Sequence, residues 1–359
     1  MKIKLLFLPF AFLLFTYLSF AQTLAPGAPG KDAHWASAGK QAVGTSASLE
    51  SKVWFTLAQG AMTEVYYPDV TVANVHLLQF VVVNPKTKKV ETETNDAQKT
   101  IIANGDLSKM PSFLRRRLQE QMAEFSFSKS GSQIDVLYFN QANSSKNAKW
   151  MILKSYITDP KSNTVMLRVR FFPLDKELQL YVYYDPSLAN TGMHDTAWNQ
   201  DEALLSQDKD ISSALIASAP LSEISNGFYQ TSDGLEQLKS NGKIVTPYAR
   251  AENGNVVQIA KVKVERGKEV DFALSFGKTP DEAVQIAKSS LAKGFDKTLA
   301  QYTRGWNDYV RTLPKVEPKY QAQFNMAAMQ LKAHEDKTRR GANIASLSCL
   351  LYTSPSPRD

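Results

Sequence analysis

Residues 164–172 read TVMLRVRFF, and the alternation in them decides the fold class. Val165, Leu167, Val169 and Phe171 share one face, while Met166, Arg168 and Arg170 share the other. A period of two is that of a β-strand, whose successive side chains point to opposite sides of a sheet. The same texture recurs on both sides of this stretch. SKVWFTL (51–57), HLLQFVVVN (76–84), QIDVLYFN (133–140), WMILKSYIT (150–158), LQLYVYYD (178–185), VVQIAKVKV (256–264) and DFALSFG (271–277) are short runs rich in Val, Ile, Phe, Tyr and Trp. The turn signals NPKTKK, DPKSN, SDG, ENGN and RGK separate them. Many short strands at such spacing predict a mainly β fold, a large antiparallel β-sandwich. Before residue 279 no helical crossover is long enough to join parallel strands.

At Thr279 the period changes. T-P-D-E (279–282) is a helix start, with Thr279 as cap, Pro280 in the first turn and Glu282 completing a capping box. Ala287, Leu291, Phe295, Leu299, Tyr302, Trp306, Tyr309 and Leu313 then recur at steps of three and four. This predicts one amphipathic helix of about 33 residues, its aromatic stripe packed on the sandwich or a neighbouring domain. Pro314 ends it. A second helix is expected over 319–337, with Tyr320, Phe324, Ala327, Ala328 and Leu331 on one face.

The N-terminus reads differently. MKIKLLFLPFAFLLFTYLSFAQ has Lys2 and Lys4, an apolar run from Leu5 to Phe20, and small residues at Ser19 and Ala21. This is the layout of a secretory signal peptide cleaved after Ala21, and the run is shorter than the roughly 20 residues a membrane span needs. The mature chain is expected to be exported, periplasmic or extracellular, with no membrane association after cleavage. Residues 22–50, rich in Gly, Pro, Ala and Ser, form an irregular lead-in. Loss of the signal peptide lowers the formal charge from +7 to about +5, too mild for a nucleic-acid partner. The basic cluster Arg115, Arg116 and Arg117 lacks interleaved aromatics and reads as a solvated face.

Motifs of chemistry are few. There is no G-x-S-x-G, P-loop or G-x-G-x-x-G, and His34, His76, His194 and His334 are scattered. His334-Glu335 is not followed by a second His at the zinc-helix spacing. Cofactors are therefore expected to be none; no oxygen-rich loop is strong enough to assign calcium.

Two stretches narrow the function: WFTLAQGAMTEVYYPDV (54–70) and AHEDKTRRGANIASLS (333–348). With the lead-in APGAPG and with YVYYDPSLANTGMHDTAW (181–198), they resemble bacterial glucoamylases and glucodextranases, the exo-acting α-glucosidases of glycoside hydrolase family 15. The resemblance implies five parts: signal peptide 1–21, N-terminal β-sandwich 22–278, helical linker 279–318, the start of an (α/α)6 catalytic barrel at 319–348, and an odd tail at 349–359. It also implies an α-glucan or oligosaccharide as partner, and we expect a monomer. In that family GANIASLS leads into an apolar, Trp-containing loop and the rest of the barrel. Here CLLYTSPSPRD follows, and these residues resemble a translated transposase-type sequencing adapter. The expectation is a chain cut in the sequence read, so the one cysteine, Cys349, carries no information on redox compartment.

The two carboxylic residues of an inverting hydrolase, typically about 6.5–9.5 Å apart, are implied to lie beyond Ser348, and no catalytic residue is assigned. Glu335 and Asp336, beside Lys337, read as a salt-bridged helix end. Candidate substrate-binding residues are Glu64, Tyr66, Tyr67 and Asp69, expected on a loop between strands: tyrosine faces stack on sugar rings and carboxylates accept sugar hydroxyls. Asn190, Gly192, His194 and Asp195 form a second polar loop, and Asn343 and Ser346 fall near the barrel's inner rim. Two other classes stay open. One is a disaccharide phosphorylase of the same plan, which the signal peptide disfavours. The other is a non-catalytic carbohydrate-binding or adhesion sandwich, which has no use for the linker or GANIASLS.

Overall fold

A computed structural model describes residues 23–103, 139–147, 149–345 and 347. The segment expected to be a signal peptide, most of the run 133–140, the arginine cluster, Ser346 and the tail from residue 348 lie outside these.

Two antiparallel sheets face each other. In the eight-stranded sheet the spatial order is β1 (Ala42–Gly44), β2 (Trp54–Ala58), β3 (Ala61–Tyr66), β4 (Val75–Asn84), β10 (Gln179–Pro186), β16 (Val256–Val262) and β14 (Leu221–Phe228), with β5 (Lys89–Thr92) also paired to β4. In the nine-stranded sheet it is β15 (Arg250–Gly254), β11 (Asp195–Gln200), β12 (Ala203–Asp208), β13 (Ile211–Ala217), β17 (Glu269–Gly277), β9 (Thr164–Pro173), β8 (Trp150–Thr158), β7 (Phe139–Ser145) and β6 (Ala97–Ala103). The sandwich expected from the alternating runs is present.

The alternation of β9 explains its position. Val165, Leu167, Val169 and Phe171 are buried in the core between the sheets, with Phe55, Phe80 and Val182 from the opposite sheet. Phe80 meets Phe272 edge-on at 5.4 Å and Phe55 stacks on Tyr156 at 5.9 Å, so aromatic pairs bridge the two layers. An ion pair is sealed in with them: Lys154 Nζ lies 2.6 Å from Glu93 Oε1 and donates to the Gly60 carbonyl at 2.7 Å. Asn143 donates to the same two oxygens, the saturation that makes burial of such charges tolerable.

β11 to β13 were not legible as strands. On β12 and β13 buried serines interrupt the inward row of Leu204, Ile211 and Leu215; Ser206 and Ser213 are register partners, bonded at 2.6 Å, and Tyr184 Oη bonds Ser213 at 2.8 Å. The SDG turn signal instead opens a helix, α1 (Gly234–Asn241). Asp233 caps it by accepting from Leu235 N, and Gly242 ends it in the left-handed conformation at φ 73°.

The single long helix expected from Thr279 is two: α2 (Pro280–Lys293) and α3 (Phe295–Arg311). They part at Gly294, whose φ 85° and ψ 150° are closed to residues with a Cβ. Thr279 accepts from Glu282 N as predicted, but the Glu282 carboxylate accepts from Lys278 N, one residue before the cap. The aromatic stripe packs on the outer face of the nine-stranded sheet, where Phe295, Tyr302 and Trp306 cover Ile157 and Met166. The outward arginines of β9 are used there too: Arg168 pairs with Asp271 and Asp296 and lies over the Phe295 ring. The last helix, α4 (Pro318–Ala333), stops short of the expected residue 337. It buries Met329 and Ala333, whereas Tyr320 and Leu331 of the expected face are exposed.

Candidate functional site

The predicted TEVYYPD loop is only half a loop. Glu64 and Tyr66 stand on β3, and the chain turns away at Tyr67. The strand continues because Trp54↔Tyr66 and Phe55↔Val65 pair across from β2. Glu64 is buried; its Oε2 lies 2.6 Å from Lys40 Nζ and 3.0 Å from Tyr66 Oη, while Oε1 has no hydrogen-bond partner among the described residues. Tyr66 Oη is also 3.0 Å from the Leu347 carbonyl, so one phenolic proton serves two acceptors. Tyr67 is buried and stacks on Phe276 at 5.6 Å; burial above all pushes its phenol up. Asp69 is the most open of the four. It accepts from Thr71 N at 2.9 Å and Thr71 Oγ1 at 2.6 Å, and faces Arg339 at 3.8 Å.

Residues 334–347 fold back onto this strand end. His334 and Ile344 are joined by a backbone hydrogen bond, and Asp336 N donates to Ala342 O, which closes a tight loop. Glu335 is ion-paired with Lys332 and accepts from Gly341 N, in keeping with a structural helix end. Asp336 differs from the salt-bridged role expected. It accepts backbone N–H groups, from Thr338 at 2.7 Å, Arg339 at 2.6 Å and, across the interface, Val70 at 3.4 Å. Lys337 turns inward. Its Nζ donates to Thr45 Oγ1 at 2.5 Å and to the Ser51 carbonyl at 2.7 Å, and lies 4.9 Å from the Trp54 ring centroid. Burial, with the charge of Lys332 nearby, pushes this amine well below the usual lysine value. Leu347 closes the contact in a small cluster with Trp54, Tyr66, Val70 and Ala73. Thr45 joins this seat to the linker, because its carbonyl accepts from Tyr302 Oη at 2.9 Å and Trp306 Nε1 at 3.0 Å.

The second predicted loop meets the first through Asn190. Its Oδ1 accepts from Ala73 N and its Nδ2 donates to Thr71 O. Gly192 has φ 62°, and a Cβ there would lie 2.6 Å from Ser187 Oγ. Asp195 is wholly buried beneath the loop and accepts from Leu188 N; burial, with Asp208 and Asp185 nearby, raises its pKa well above the usual range. His194 is exposed and faces Asn253. Asn343 is exposed and bonds within its own turn, to Gly341 O. The first loop, Asn190 and residues 334–347 therefore converge, with Asn343 exposed in the last of these and bridged to Glu335, while His194 and Asp195 stay apart. Sequence reasoning missed Lys40, Thr45, Trp54 and the inward turn of Lys337. Only Lys337 carried a signal, a lysine beside two acids, and that signal pointed to a surface ion pair.

The fold is an antiparallel β-sandwich with helices packed on one outer face and a further segment docked beyond them. The chain matches the family of glucodextranase, domain N, over residues 25–311, and belongs to it. A glucoamylase of Clostridium sp. (strain G0005) is 31% identical over 331 residues, covering 90% of this chain and 43% of that protein. The crystal structure of a bacterial glucoamylase complexed with acarbose matches with a TM-score of 0.78 at 30% identity, over 90% of this chain and 45% of that one. The chain thus spans less than half the length of the relatives it matches. The family resemblance read from residues 54–70 and 333–348 is borne out.

Proposed function

We propose that this chain is the N-terminal part of an exo-acting α-glucosidase, of glucan 1,4-α-glucosidase or glucodextranase type. When full-length, the protein would hydrolyse α-glucans from the non-reducing end, with inversion, to release glucose. The observation that carries this reading is the seat of residues 334–347. Similarity to the glucoamylase runs over 331 residues, beyond the sandwich and its linker, and the segment after the linker is fastened to Tyr66 of β3, to Ser51 before β2 through Lys337, and to Val70 after β3 through Asp336. A free-standing binding module has no use for such a seat. In this reading Glu64, Tyr66 and Tyr67, all buried, would brace a substrate pocket, and Asp69, the more open, would accept a sugar hydroxyl. The catalytic pair belongs to the barrel beyond Ser348. The N-terminal 21 residues support export, after which the enzyme works as a soluble monomer on oligosaccharide.

The test compares the 359-residue chain with the product of the source locus read on past Ser348. With maltotetraose, the longer product should release β-glucose, followed by NMR of the anomeric proton, and the shorter chain should release none. Glucose from the shorter chain, or starch binding without hydrolysis by the longer one, would overturn the proposal.

A further inference from the structure

Residues 31–41 cross the eight-stranded sheet as a strap without regular structure. One end is pinned where Lys31 N donates to Tyr229 O and Asn255 Nδ2 to Lys31 O. At the other end Gln41 N donates to Leu57 O, just before β1. Between these ends His34 and Lys40 reach the sandwich. The His34 ring lies edge-to-face on His76 of β4, with centroids 4.5 Å apart, and 5.6 Å from the Tyr229 ring. His76 is in turn bonded through Nδ1 to Asp185 Oδ2 of β10 at 2.8 Å. A histidine from the strap therefore rests on a histidine–carboxylate pair of the sheet.

We propose that this histidine pair is a pH-sensitive clasp. With His76 charged and His34 neutral it fastens residues 34–40 to the sheet; with both charged, or both neutral, it loosens. An imidazolium paired to Asp185 holds a neutral ring by its face and edge, whereas two imidazolium rings at this distance repel. Burial works against charge on His76, but Asp185, by charge and hydrogen bond, and Glu64 outweigh it and hold the ring above its ordinary 6.5. Burial first, then the charge of His76, holds His34 below 6.5, against weaker help from Asp185 and the Asp32 backbone. The other charged neighbour is Lys40, already paired with Glu64; Tyr229, raised mainly by burial, stays neutral throughout. The stability that His76 contributes is complete below 6.5 and is lost as pH rises through its folded value. The cost of charging His34 is complete below its folded value and vanishes as pH rises to 6.5. Fastening therefore peaks between the two.

The clasp does not depend on a hydrolase reading, but it leads to the same place. Lys40 at the end of the strap holds Glu64, and Glu64 shares the Tyr66 hydroxyl with Leu347. Loosening the strap frees the carboxylate to compete for that hydroxyl and slackens the seat of the terminal segment.

The experiment uses the full chain from about pH 5 to about pH 8, the range in which histidine titrates. NMR follows the imidazole protons of the four histidines, assigned through His34→Phe and His76→Gln, and hydrogen exchange, corrected for intrinsic rates, follows the amides. Two histidines should titrate on opposite sides of 6.5. Protection of the strap amides that bond the sandwich, Ala33 and Gln41, should be greatest between them and be lost progressively on each side, as linkage requires of a histidine whose affinity for the proton changes when the strap opens. His34→Phe should abolish the acid-side loss and His76→Gln the alkaline-side loss, with β8 and β9 amides unchanged as the control for folding. Asp233, raised to about 6 mainly by burial, bonds Tyr183 and Leu235; its titration is common to both variants and cancels in the comparison. Protection that is flat with pH, or an acid-side loss that survives His34→Phe, would overturn the clasp. An amide of Leu347 that ignores the opening of the strap would overturn its link to the terminal segment.

Discussion

The linker helices and the segment after them are both held by the sandwich, but by different means. On the outer face of the nine-stranded sheet, α2 and α3 spread Phe295, Tyr302 and Trp306 over Ile157 and Met166. Charged ties frame that contact: Lys293 and Ser290 reach Asp159, and Asp296 reaches Arg168. At the strand ends of β1 to β3, residues 334–347 bury one small apolar cluster and otherwise rely on single directed bonds from Lys337, Asp336 and Tyr66. Apolar area scales into stability, whereas an isolated hydrogen bond contributes about 1 kcal/mol net. The difference teaches that the linker is part of the sandwich's own fold, and that the terminal segment is a separately fastened appendix.

The severest way to break this comparison is Trp306→Ala. The indole is buried and donates to Thr45 O, so its loss should cost about 3–5 kcal/mol of global stability in urea unfolding. A change confined to the helices, with the global midpoint kept, would mean that the linker unfolds on its own. Asp159→Asn comes next. Asp159 is fully buried under Lys293, which is about a quarter exposed; with that solvent screening, the expected loss is about 2 kcal/mol, again global. Gly294→Ala isolates backbone strain, because nothing lies within 4 Å of the added Cβ. About 1–2 kcal/mol should be lost, read as a lower melting temperature with unchanged core fluorescence. Tyr66→Phe should be the mildest. About 1 kcal/mol is at stake, and faster amide exchange should be confined to residues 344, 345 and 347. If the global midpoint dropped as far as in Asp159→Asn, the two seats would be one cooperative unit.

Much of the fold was legible because it is local. The inner face of TVMLRVRFF and the aromatic stripe of the linker are periodic, and each periodic face found a core. The Thr279 cap was legible for the same reason, since donor and acceptor lie three residues apart. Gly294 was also in plain view, yet the stripe runs through it without losing phase, so periodicity concealed the break. β11 to β13 escaped because buried Ser and Ala interrupt their apolar rows; the hydroxyls of Ser206 and Ser213 are satisfied only once Tyr184 and the neighbouring strand are beside them. The candidate site was half legible. TEVYYPD and GANIASLS were found by their resemblance to a family, not by physics, and Glu64, expected on a loop, is buried on a strand, where Lys40, 24 residues upstream, pairs with it.

The sequence by itself determined the two-residue alternation, the helix start at Thr279 and the family. Each depends on residues a few positions apart, where chain geometry alone brings side chains together. Only the tertiary structure decided that Tyr66 meets Leu347 and that Lys337 enters a pocket of Thr45 and Ser51, contacts spanning 281, 292 and 286 residues. No local period encodes such pairs. They exist because two sheets, closed over a common core, bring the ends of distant strands to one corner.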